Sequence, residues 1–548
     1  MIPFAPRRAL LAGAALVGLA GIAPDAAAQG RACADLTALA RPDLRITRAE
    51  SVPAGVQPAE NRGRAALAGE NRAAMPAHCL VQGMIAPRTG VNGVSYGIGF
   101  EIRMPEGWNG RMLFQGGGGM DGVLLQAVGA IPVSGADAAP ALMRGYAVVS
   151  TDWGHQSGDS RDATFALDQQ ARLDYAFASL PVVNDQARVM MAAHYGRMPE
   201  RSYFMGCSNG GRQGMLAAQR YPLMFDGIVA GNPGFRLSRA AVAQAWDVQA
   251  LVRAAPRDDQ GRPILAQSLT PGDLRLVADA IVAQCDAADG LADGVVEAPR
   301  ACRFRLASLR CDGAKTDRCL APAQVEALER VFGGARDSRG NPVYASWPWD
   351  PGIATPGWRI WKIGTAPDGQ NNALNWTLAA QSLGYYFLTP PRPDLRMTEF
   401  DFDRDTAATA ETAAINDAVG TMMSSFADRG ARMIVFHGNA DPVFSANDIT
   451  AYWDRLATEN GGAEATGRFA RLFMVPGMNH CGGGPAFENF DAIAAIEGWV
   501  ERGEAPSHIL ARGPAFPGRS RPLCPYPQVA RYVGGNESEA ASFECRAE

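Results

Sequence analysis

Two kinds of site are missing from this sequence. Its 548 residues carry a formal net charge of -5 and show no basic stripe, so neither nucleic acid nor an anionic membrane is indicated as a partner. Its 10 cysteines and 6 histidines include no Cys-x-x-Cys pair and no histidine cluster, so no zinc site is indicated either. Small neutral or acidic substrates remain open.

Long apolar runs are also lacking. The run over residues 9–23 is too short for a transmembrane span. Arg7 and Arg8 precede it, and small residues at 26–28 precede Gln29, which is the pattern of an export signal over residues 1–28. A buried helix of the mature fold is the alternative. We expect a periplasmic or secreted protein with no membrane span in its mature chain, and the route of export stays open.

The composition describes a globular chain of more than one part. Hydrophobic residues make up 47% and charged residues 20%, which is the balance of a soluble globular protein. The length exceeds one ordinary domain. We therefore expect a core and an inserted domain.

The most informative motif is Gly-Cys-Ser-Asn-Gly at residues 206–210. It fits the G-x-S-x-G turn, which exposes a nucleophilic serine between a strand and a helix. Residues 201–205 have the pattern of that strand, and residues 211–220 have the pattern of that helix. Chance matches are common in a chain with 61 glycines, so the flanking pattern decides the interpretation. Ser208 is the predicted nucleophile.

A second glycine-rich segment supplies candidate oxyanion donors. Residues 111–115 have the pattern of a strand, and four glycines at 116–119 follow it. Their bare backbone N–H groups can face a developing oxyanion, although a flexible turn is the alternative. We expect the backbone N–H groups of Gly119 and Asn209 to form the oxyanion hole.

The partners of such a serine follow it along the chain, first an acid and then a histidine. Asp441 follows a predicted strand over 431–438, and His480 follows the last predicted strand, so both lie where ligands meet the carboxyl ends of parallel strands. Asp428 and Asp448 are the competing acids, and Asp441 capping a turn is the structural alternative. Asp441 and His480 are the predicted acid and base.

Ten cysteines in an exported chain favour disulfides. Sequence neighbourhood suggests four couples: Cys33 with Cys79, Cys285 with Cys302, Cys311 with Cys319, and Cys524 with Cys545. That leaves Cys207 and Cys481, beside the serine and the histidine. Whether these two bridge, stay unpaired or have other partners is open at this point.

Gly-Cys-Ser-x-Gly-Gly, the later Asp441 and the His-Cys pair at 480–481 resemble the motifs of the tannase and feruloyl esterase family of α/β-hydrolases. The resemblance covers essentially the whole mature chain and includes all five cysteine couples. It implies an α/β fold, with an α/β-hydrolase core and a large inserted lid domain. It also implies a disulfide between Cys207 and Cys481 and no organic cofactor.

The lid is expected between the serine and the acid. We assign residues 29–234 and 422–548 to the catalytic core and residues 235–421 to the lid. Six of the ten tryptophans fall in the lid, which suits an aromatic substrate wall, although most of them are expected to form the lid's own core. The candidate pocket residues are Trp358, Arg359, Trp361, His437 and Phe444.

An acidic loop at residues 286–297 is the candidate metal site. Closely spaced aspartates on a loop with glycines can supply the oxygen ligands that calcium prefers, and a solvated acidic loop is the alternative. The resemblance implies a structural Ca²⁺ held by the side chains of Asp286, Asp289 and Asp293. It implies the backbone carbonyls of Leu291 and Val295 as further ligands.

The predicted function is that of a serine esterase, which hydrolyses esters of aromatic carboxylic acids through an acyl-enzyme. The family resemblance includes mono(2-hydroxyethyl) terephthalate as a candidate substrate, and esters of gallate or hydroxycinnamate are the alternative. A terephthalate monoester carries a carboxylate that needs a cation, and Arg359 is one candidate for it. A calcium-dependent binding protein without activity is the alternative of a different class.

Overall fold

The computed structural model describes residues 30–56, 73–130 and 138–548. The predicted export signal over residues 1–28 lies outside these ranges and stays a prediction. The described ranges contain fifteen strands: β1 (Leu44–Val52), β2 (Gly55–Val56), β3 (Ala74–Met75), β4 (His78–Thr89), β5 (Ser95–Pro105), β6 (Arg111–Gln115), β7 (Ala147–Thr151), β8 (Arg201–Cys207), β9 (Gly227–Gly231), β10 (Arg432–Gly438), β11 (Ala470–Val475), β12 (Ile509–Ala511), β13 (Arg521–Leu523), β14 (Gln528–Tyr532) and β15 (Phe543–Ala547).

The same ranges contain fourteen α-helices, several of them joined by short 3₁₀ or π-helical turns. They are α1 (Gln169–Leu173), α2 (Ser179–Tyr195), α3 (Asn209–Arg220), α4 (Leu237–Val252), α5 (Pro271–Cys285), α6 (Pro322–Phe332), α7 (Pro356–Lys362), α8 (Leu374–Gln381), α9 (Arg404–Ala408), α10 (Ala410–Asn416), α11 (Ser424–Asp428), α12 (Ala446–Glu459), α13 (Ala463–Thr466) and α14 (Ala492–Arg502).

Nine strands form one mixed sheet in the order β1-β4-β5-β7-β6-β8-β9-β10-β11. Every neighbouring pair from β7 to β11 in that order is parallel. The pairs among β1, β4, β5 and β7 are antiparallel. Because parallel strands end at the same edge, the loops after β6, β8, β10 and β11 leave the sheet side by side.

The central strands are buried on both faces, and side chains along each strand alternate between two hydrophobic clusters. On one face, Leu113 and Tyr203 pack with α14. On the other face, their neighbours Phe114 and Phe204 pack with α2 and α3. Two layers of helices therefore enclose the sheet, and this explains why these strands are almost continuously apolar.

The insertion lies between β9 and β10, and the predicted lid bounds of 235 and 421 fall within that interval. Its first part has a hydrophobic cluster of its own, which reaches the core at Val443 and Phe444. Its last part, including Leu383 and Tyr386, belongs to the same cluster as the sheet. The lid is thus packed continuously onto the catalytic core.

The lid tryptophans mostly form the lid's own core, as expected. Four of them are buried within its cluster, and two are packed against that cluster: Trp246, Trp347, Trp358 and Trp361, then Trp349 and Trp376. Their large apolar area stabilises a domain that otherwise has short helices and many loops. Only Trp361 also reaches the pocket described below.

All five predicted disulfides are present, and no cysteine among the described residues is free. Their Cα–Cα distances lie between 5.0 and 6.0 Å, within the range that a disulfide needs. The pairs are Cys33–Cys79, Cys207–Cys481, Cys285–Cys302, Cys311–Cys319 and Cys524–Cys545. In the described part of the chain, no helix combines the length and apolar character that crossing a membrane requires.

Candidate active site

The predicted site residues gather at the carboxyl edge of the parallel strands. The glycine loop follows β6, Ser208 follows β8, Asp441 follows β10, and His480 follows β11. The strand order places β6, β8, β9, β10 and β11 next to one another, so these loops meet although they are far apart in sequence. The shared edge of the parallel strands therefore brings the four segments of the site together.

The turn at Ser208 is strained in the way that exposes a nucleophile. Ser208 has φ 64° and ψ -124°, a region that residues with a side chain rarely adopt. A Cβ on Gly206 would come within 2.7 Å of the Gly210 backbone, and a Cβ on Gly210 would come within 2.7 Å of the Gly117 carbonyl oxygen. The two flanking glycines are therefore required by close backbone approach.

Ser208, His480 and Asp441 form a continuous hydrogen-bonded chain. His480 Nδ1 lies 2.9 Å from Asp441 Oδ2, and His480 Nε2 lies 2.8 Å from Ser208 Oγ. Because a carboxylate only accepts, Nδ1 carries the hydrogen and donates it to Asp441. Nε2 is then free to accept the hydrogen bond from the Ser208 hydroxyl. This is the geometry that a general base requires.

Asp441 is held as a carboxylate. Burial alone would raise its pKa, but the charge of His480 and hydrogen bonds from His480 and Asn232 outweigh burial and lower the pKa below its ordinary value. Asn232 Nδ2 donates to Oδ2 at 2.8 Å, and the Val443 backbone N–H donates to Oδ1 at 2.7 Å. The competing acid Asp448 is paired with Arg236 instead.

The lid braces both loops that carry the acid and the histidine. Trp347 Nε1 donates to the Asp441 backbone carbonyl at 3.1 Å. The buried side chain of Asp350 accepts a hydrogen bond from the Gly477 backbone N–H at 3.0 Å, three residues before His480. These contacts come from one lid segment and tie the two loops to each other through it.

The Cys207–Cys481 disulfide joins the residues that adjoin the serine and the histidine. Its Cα–Cα distance is 6.0 Å across a sequence separation of 274 residues. Cys481 itself has φ 61°, so the chain turns sharply just after His480. The bond therefore restrains the separation of Ser208 and His480 from the backbone side.

The two residues that carry the predicted oxyanion donors line the pocket beside Ser208. Gly119 and Asn209 line the same cavity as Ser208, and in the described part of the chain neither N–H donates to a protein acceptor. Gly119 has φ 62° and lies in the loop after β6, while Asn209 is the first residue of α3. The two predicted oxyanion donors are thus next to the serine and available.

The pocket in front of the serine is narrow, and its described lining contains no charged side chain. Trp361 and Phe444 both line it and stack edge-on against His480, with ring centroids 5.3 and 5.2 Å from the imidazole. The complete lining is Gly119, Met120, Ser208, Asn209, Leu237, Ala241, Gln244, Trp361, Leu378, Ser382, Phe387, Val443 and Phe444.

Three predicted pocket residues do not line the cavity, and the structure corrects them. Trp358 is buried within the lid cluster. Arg359 points back into the lid, where its guanidinium donates to the Leu269 carbonyl at 2.8 Å. His437 is fully buried behind the acid, and its Nε2 donates to the Phe444 carbonyl at 3.0 Å. Burial lowers the pKa of His437, in keeping with a neutral structural imidazole.

Sequence reasoning missed the wall contributed by α4. Leu237, Ala241 and Gln244 recur at positions i, i+4 and i+7, so they share one helix face, and that face borders the cavity. The sequence signal that could have indicated this wall is the position of α4 as the first helix after β9. Periodicity alone does not say which face of a buried helix meets a cavity.

The acidic loop follows α5, and its negatively charged carboxylates repel one another. Burial, aided by the charges of Asp293 and Asp286, raises the pKa of Asp289 to about 6. Burial and the charge of Asp289 raise the pKa of Glu297 to about 8. One oxygen of Asp286 is buried without a hydrogen-bond partner. This donor chemistry fits a hard cation.

The aspartate side chains alone do not form a complete cage. Among the described residues, no three His, Cys, Asp or Glu side chains converge as a metal site. One oxygen of Asp293 is engaged by the guanidinium groups of Arg519 and Arg521. Backbone carbonyls would therefore have to complete the ligand set, which is the role predicted for Leu291 and Val295.

Comparison with known proteins identifies the family of this fold and site. The sequence model of the family described as "Tannase and feruloyl esterase" matches residues 79–546. The chain belongs to the tannase and feruloyl esterase family. Both the predicted α/β-hydrolase fold and the predicted family are thereby confirmed.

The relatives of this chain match it over most of its length. It is 43% identical over 529 residues to "Mono(2-hydroxyethyl) terephthalate hydrolase" of Piscinibacter sakaiensis, a match that covers 88% of this chain and 87% of that protein. It is 28% identical over 472 residues to "Probable feruloyl esterase B-2" of Aspergillus terreus, covering 82% of this chain and 83% of that protein.

A solved structure shares the fold. Feruloyl esterase B of Aspergillus oryzae superposes with a TM-score of 0.78 at 23% identity, covering 94% of this chain and 99% of that chain. Together, the family and these relatives show that the tannase-family chain is a carboxylic ester hydrolase. The alternative of a binding protein without activity is therefore set aside.

Replacing Cys207 and Cys481 together by alanine should impair both stability and turnover. Loss of a native disulfide typically lowers the free energy of unfolding by about 2–4 kcal/mol. A displacement of about 1 Å at a catalytic group can lower the rate about 100-fold, so kcat should fall as well. Thermal unfolding and kcat for an aryl ester measure the two effects.

The matched control is the double replacement of Cys311 and Cys319, a disulfide within the lid. It should lower thermal stability without a comparable loss of kcat. An unchanged kcat in the folded Cys207→Ala/Cys481→Ala variant would contradict a role of that disulfide in the site.

Proposed function

We propose that this esterase hydrolyses esters of aromatic carboxylic acids through an acyl-enzyme on Ser208. The observation that carries the proposal is the hydrogen-bonded chain from Asp441 through His480 to Ser208, which opens into a pocket walled by aromatic and aliphatic side chains. An apolar pocket of this kind suits a planar ring. The names of the two relatives, both hydrolases of aromatic esters, support the same class of substrate.

In the first step, His480 Nε2 takes the hydroxyl proton as Ser208 Oγ attacks the ester carbonyl. Asp441 orients the imidazole and stabilises its positive charge, since it remains a carboxylate. The backbone N–H groups of Gly119 and Asn209 donate to the oxyanion of the tetrahedral intermediate. The intermediate collapses, the proton passes from His480 to the alcohol oxygen, and the alcohol leaves.

In the second step, water replaces the alcohol. His480 removes a proton from the water as its oxygen attacks the acyl carbon, and the same two N–H groups stabilise the second oxyanion. Breakage of the bond to Ser208 Oγ releases the carboxylic acid and returns the proton to the serine. The residues themselves supply every acid, base and donor, so no organic cofactor is required by these steps.

Replacing Ser208 by alanine should abolish turnover of an aryl ester while the fold is kept. Loss of the nucleophile of such a triad lowers kcat by about 10⁶-fold. Initial rates of hydrolysis, together with circular dichroism and the melting temperature, measure the two properties. A folded Ser208→Ala protein that still hydrolyses the ester at more than a trace rate would overturn the proposal.

Whether the pocket accepts a charged acyl group is a separate question, and two observations point to different answers. The relative at 43% identity is named for a terephthalate monoester, whose acid carries a carboxylate. In this chain, however, the described pocket lining is uncharged, and Lys362 nearby in the lid is buried in an ion pair with Asp247 at 2.5 Å. An unpaired carboxylate would therefore lose its hydration without gaining a cation. We propose that uncharged rings, including gallate and hydroxycinnamate, are hydrolysed better.

Two substrates with the same ring test this proposal. Dimethyl terephthalate is neutral, whereas monomethyl terephthalate carries one carboxylate. We expect kcat/KM to be at least about 10-fold higher for the neutral diester, because burying a charge without a partner is costly. Equal or higher kcat/KM for the monoester would contradict an uncharged pocket, and methyl ferulate and methyl gallate give the comparison with phenolic rings.

We also propose that the loop at 286–297 binds a structural Ca²⁺. Asp286, Asp289 and Asp293 would supply carboxylate oxygens, and Leu291 and Val295 would supply carbonyl oxygens. The raised pKa of Asp289 and the unpartnered oxygen of Asp286 support this, because a bound cation would relieve both. When bound, the ion would neutralise the loop and hold it against the C-terminal segment. Arg531 of that segment donates a hydrogen bond to the Ala288 carbonyl of the loop.

Removal of calcium should lower the melting temperature more than it changes kcat. At a calcium concentration of about 100 times the dissociation constant, binding adds about 2.7 kcal/mol to the free energy of unfolding. Thermal unfolding with calcium and with a chelator measures the shift. Asp286→Asn should remove the shift, while Asp312→Asn, at an exposed lid position, should keep it. A melting temperature that does not respond to calcium in the unaltered protein would contradict the site.

Export is the remaining part of the proposal. The pattern at residues 1–28 and five disulfides in the structure support an oxidising compartment, either periplasmic or extracellular. The mature chain would then begin near Gln29, which N-terminal sequencing of the exported protein measures.

A further inference from the structure

A buried carboxylate that the proposed mechanism does not use lies directly under the oxyanion loop. Asp121 is only 3% exposed and lies two residues after Gly119, the last of the four glycines. Its backbone has φ 50°, and its N–H donates to the Gly118 carbonyl at 3.0 Å. A left-handed conformation at a residue with a side chain persists only where surrounding contacts hold it. The contacts of the carboxylate therefore need an explanation.

Both oxygens of Asp121 accept hydrogen bonds from the same helix. Asn209 Nδ2 donates to Oδ1 at 2.9 Å, and Gln213 Nε2 donates to Oδ2 at 2.8 Å. The two amides are one turn apart at the N-terminus of α3, which is the helix that begins directly after Ser208. Asp121 thus links the loop of one proposed oxyanion donor to the residue that carries the other.

The side-chain amides of Gln213 and Asn209 also accept hydrogen bonds, the first from the glycine loop and the second from Arg212. Gln213 Oε1 accepts from the Gly117 backbone N–H at 3.1 Å, which returns to the glycine loop. Asn209 Oδ1 accepts from Arg212 Nε at 2.6 Å. Each amide therefore has both its donor and its acceptor side occupied, and their orientation is determined.

Arg212 and Tyr175 close the connection on the far side. The buried guanidinium of Arg212 donates to the Tyr175 carbonyl at 3.2 Å, and the Tyr175 hydroxyl donates to the Gly119 carbonyl at 3.2 Å. Burial raises the pKa of Asp121 to about 7, and the hydrogen bonds from Asn209 and Gln213 and the charge of Arg212 oppose that rise. A closed set of side-chain contacts therefore surrounds the N–H groups of Gly119 and Asn209.

We propose that Asp121 is a positioning residue that holds the two oxyanion donors, the N–H groups of Gly119 and Asn209, at a constant separation. The proposal rests on the proposed function, because it takes Ser208 as the nucleophile and these groups as the oxyanion donors. Neither oxygen of Asp121 contacts Ser208 or His480, so it acts through the loop and the helix. Donors fixed before reaction stabilise the oxyanion without reorganisation.

A second buried aspartate close by shows that burial alone does not produce these contacts. Asp152 is also buried, but its oxygens accept from the Gly99 and Gly154 backbone N–H groups and from Gln156. None of its side-chain hydrogen bonds with described residues goes to α3. Of these two aspartates, only Asp121 joins the two donor segments, and the hydrogen bond from Gly117 to Gln213 joins them as well.

The first test is Asp121→Asn. Asparagine keeps the shape but has one acceptor, so its NH₂ group must face the NH₂ of Asn209 or of Gln213. Loss of one well-placed oxyanion donor lowers kcat by about 100- to 1000-fold, and misplacing donors should lower it by about 10- to 100-fold. Because the donors act on the transition state, KM should change much less than kcat.

The second test restores the direction of the hydrogen bonds. In Asp121→Asn/Gln213→Glu, the asparagine NH₂ can donate to the new carboxylate and its carbonyl can accept from Asn209. The other oxygen of the glutamate can still accept from the Gly117 N–H. The double variant keeps the shape of both side chains and only exchanges one nitrogen with one oxygen between them, so kcat should return to within about 10-fold of the unaltered enzyme. Gln213→Glu alone places two carboxylates together and should be impaired.

A matched control separates positioning from stability. Asp273 is a buried lid carboxylate that accepts from Gln324 Nε2 at 2.9 Å, so Asp273→Asn removes a similar contact far from the serine along the chain. It should lower the melting temperature and leave kcat unchanged. If Asp121→Asn does not fold, the comparison of Gln213→Glu with the double variant carries the test.

The outcomes are distinct. Low kcat in the single variants with recovery in the double variant supports the proposal. A normal kcat in folded Asp121→Asn, or a folded double variant no better than Gln213→Glu, overturns it. Activity that survives Ser208→Ala would overturn the proposed function instead, so the two failures are distinguishable.

Discussion

The disulfide between Cys207 and Cys481 is the constraint on which this active site most depends. It joins the end of β8 to the loop after β11 across 274 residues, immediately beside the serine and the histidine. Parallel strands already bring these loops to one edge, but a loop after a strand can move independently of its neighbour. A covalent link between the adjoining residues removes that freedom. The 2.8 Å contact between His480 and Ser208 lies directly beside this link.

The lid has a structural relation to catalysis as well as to the substrate. Trp347 and Asp350 bind the backbones of the acid loop and the histidine loop, while Trp361 covers the imidazole. Because the hydrophobic cluster of the lid continues into the core at Phe444, these contacts rest on a packed surface. The insertion therefore forms a packed wall of the active site, and its internal tryptophans contribute to that packing.

The sequence was a good guide to the catalytic centre and a poor one to the pocket. The Gly-Cys-Ser-Asn-Gly turn at 206–210 and the order of Asp441 and His480 along the chain are local patterns that occur at strand ends. The sequence alone therefore indicates them. Arg359 was expected in the pocket because it lies between two tryptophans, but it faces a different direction of α7 from Trp361 and binds the Leu269 carbonyl. Trp358 lies one turn before Trp361, but it packs within the lid cluster. His437 was misplaced for a different reason, because it lies at the buried end of β10, where its imidazole binds the Phe444 carbonyl.

By itself, the sequence determined the family, the hydrolase core, four local cysteine couples and the three residues of the hydrogen-bonded chain, while the pairing of Cys207 with Cys481 came from the family resemblance. These follow from short motifs, chain order and alternating apolar patterns, all of which are encoded locally. Only the tertiary structure decided which face of α4 borders the cavity and that no charged side chain among the described residues lines it. It alone placed Asp121 between two donor segments, because such contacts join residues whose neighbourhood exists only after folding.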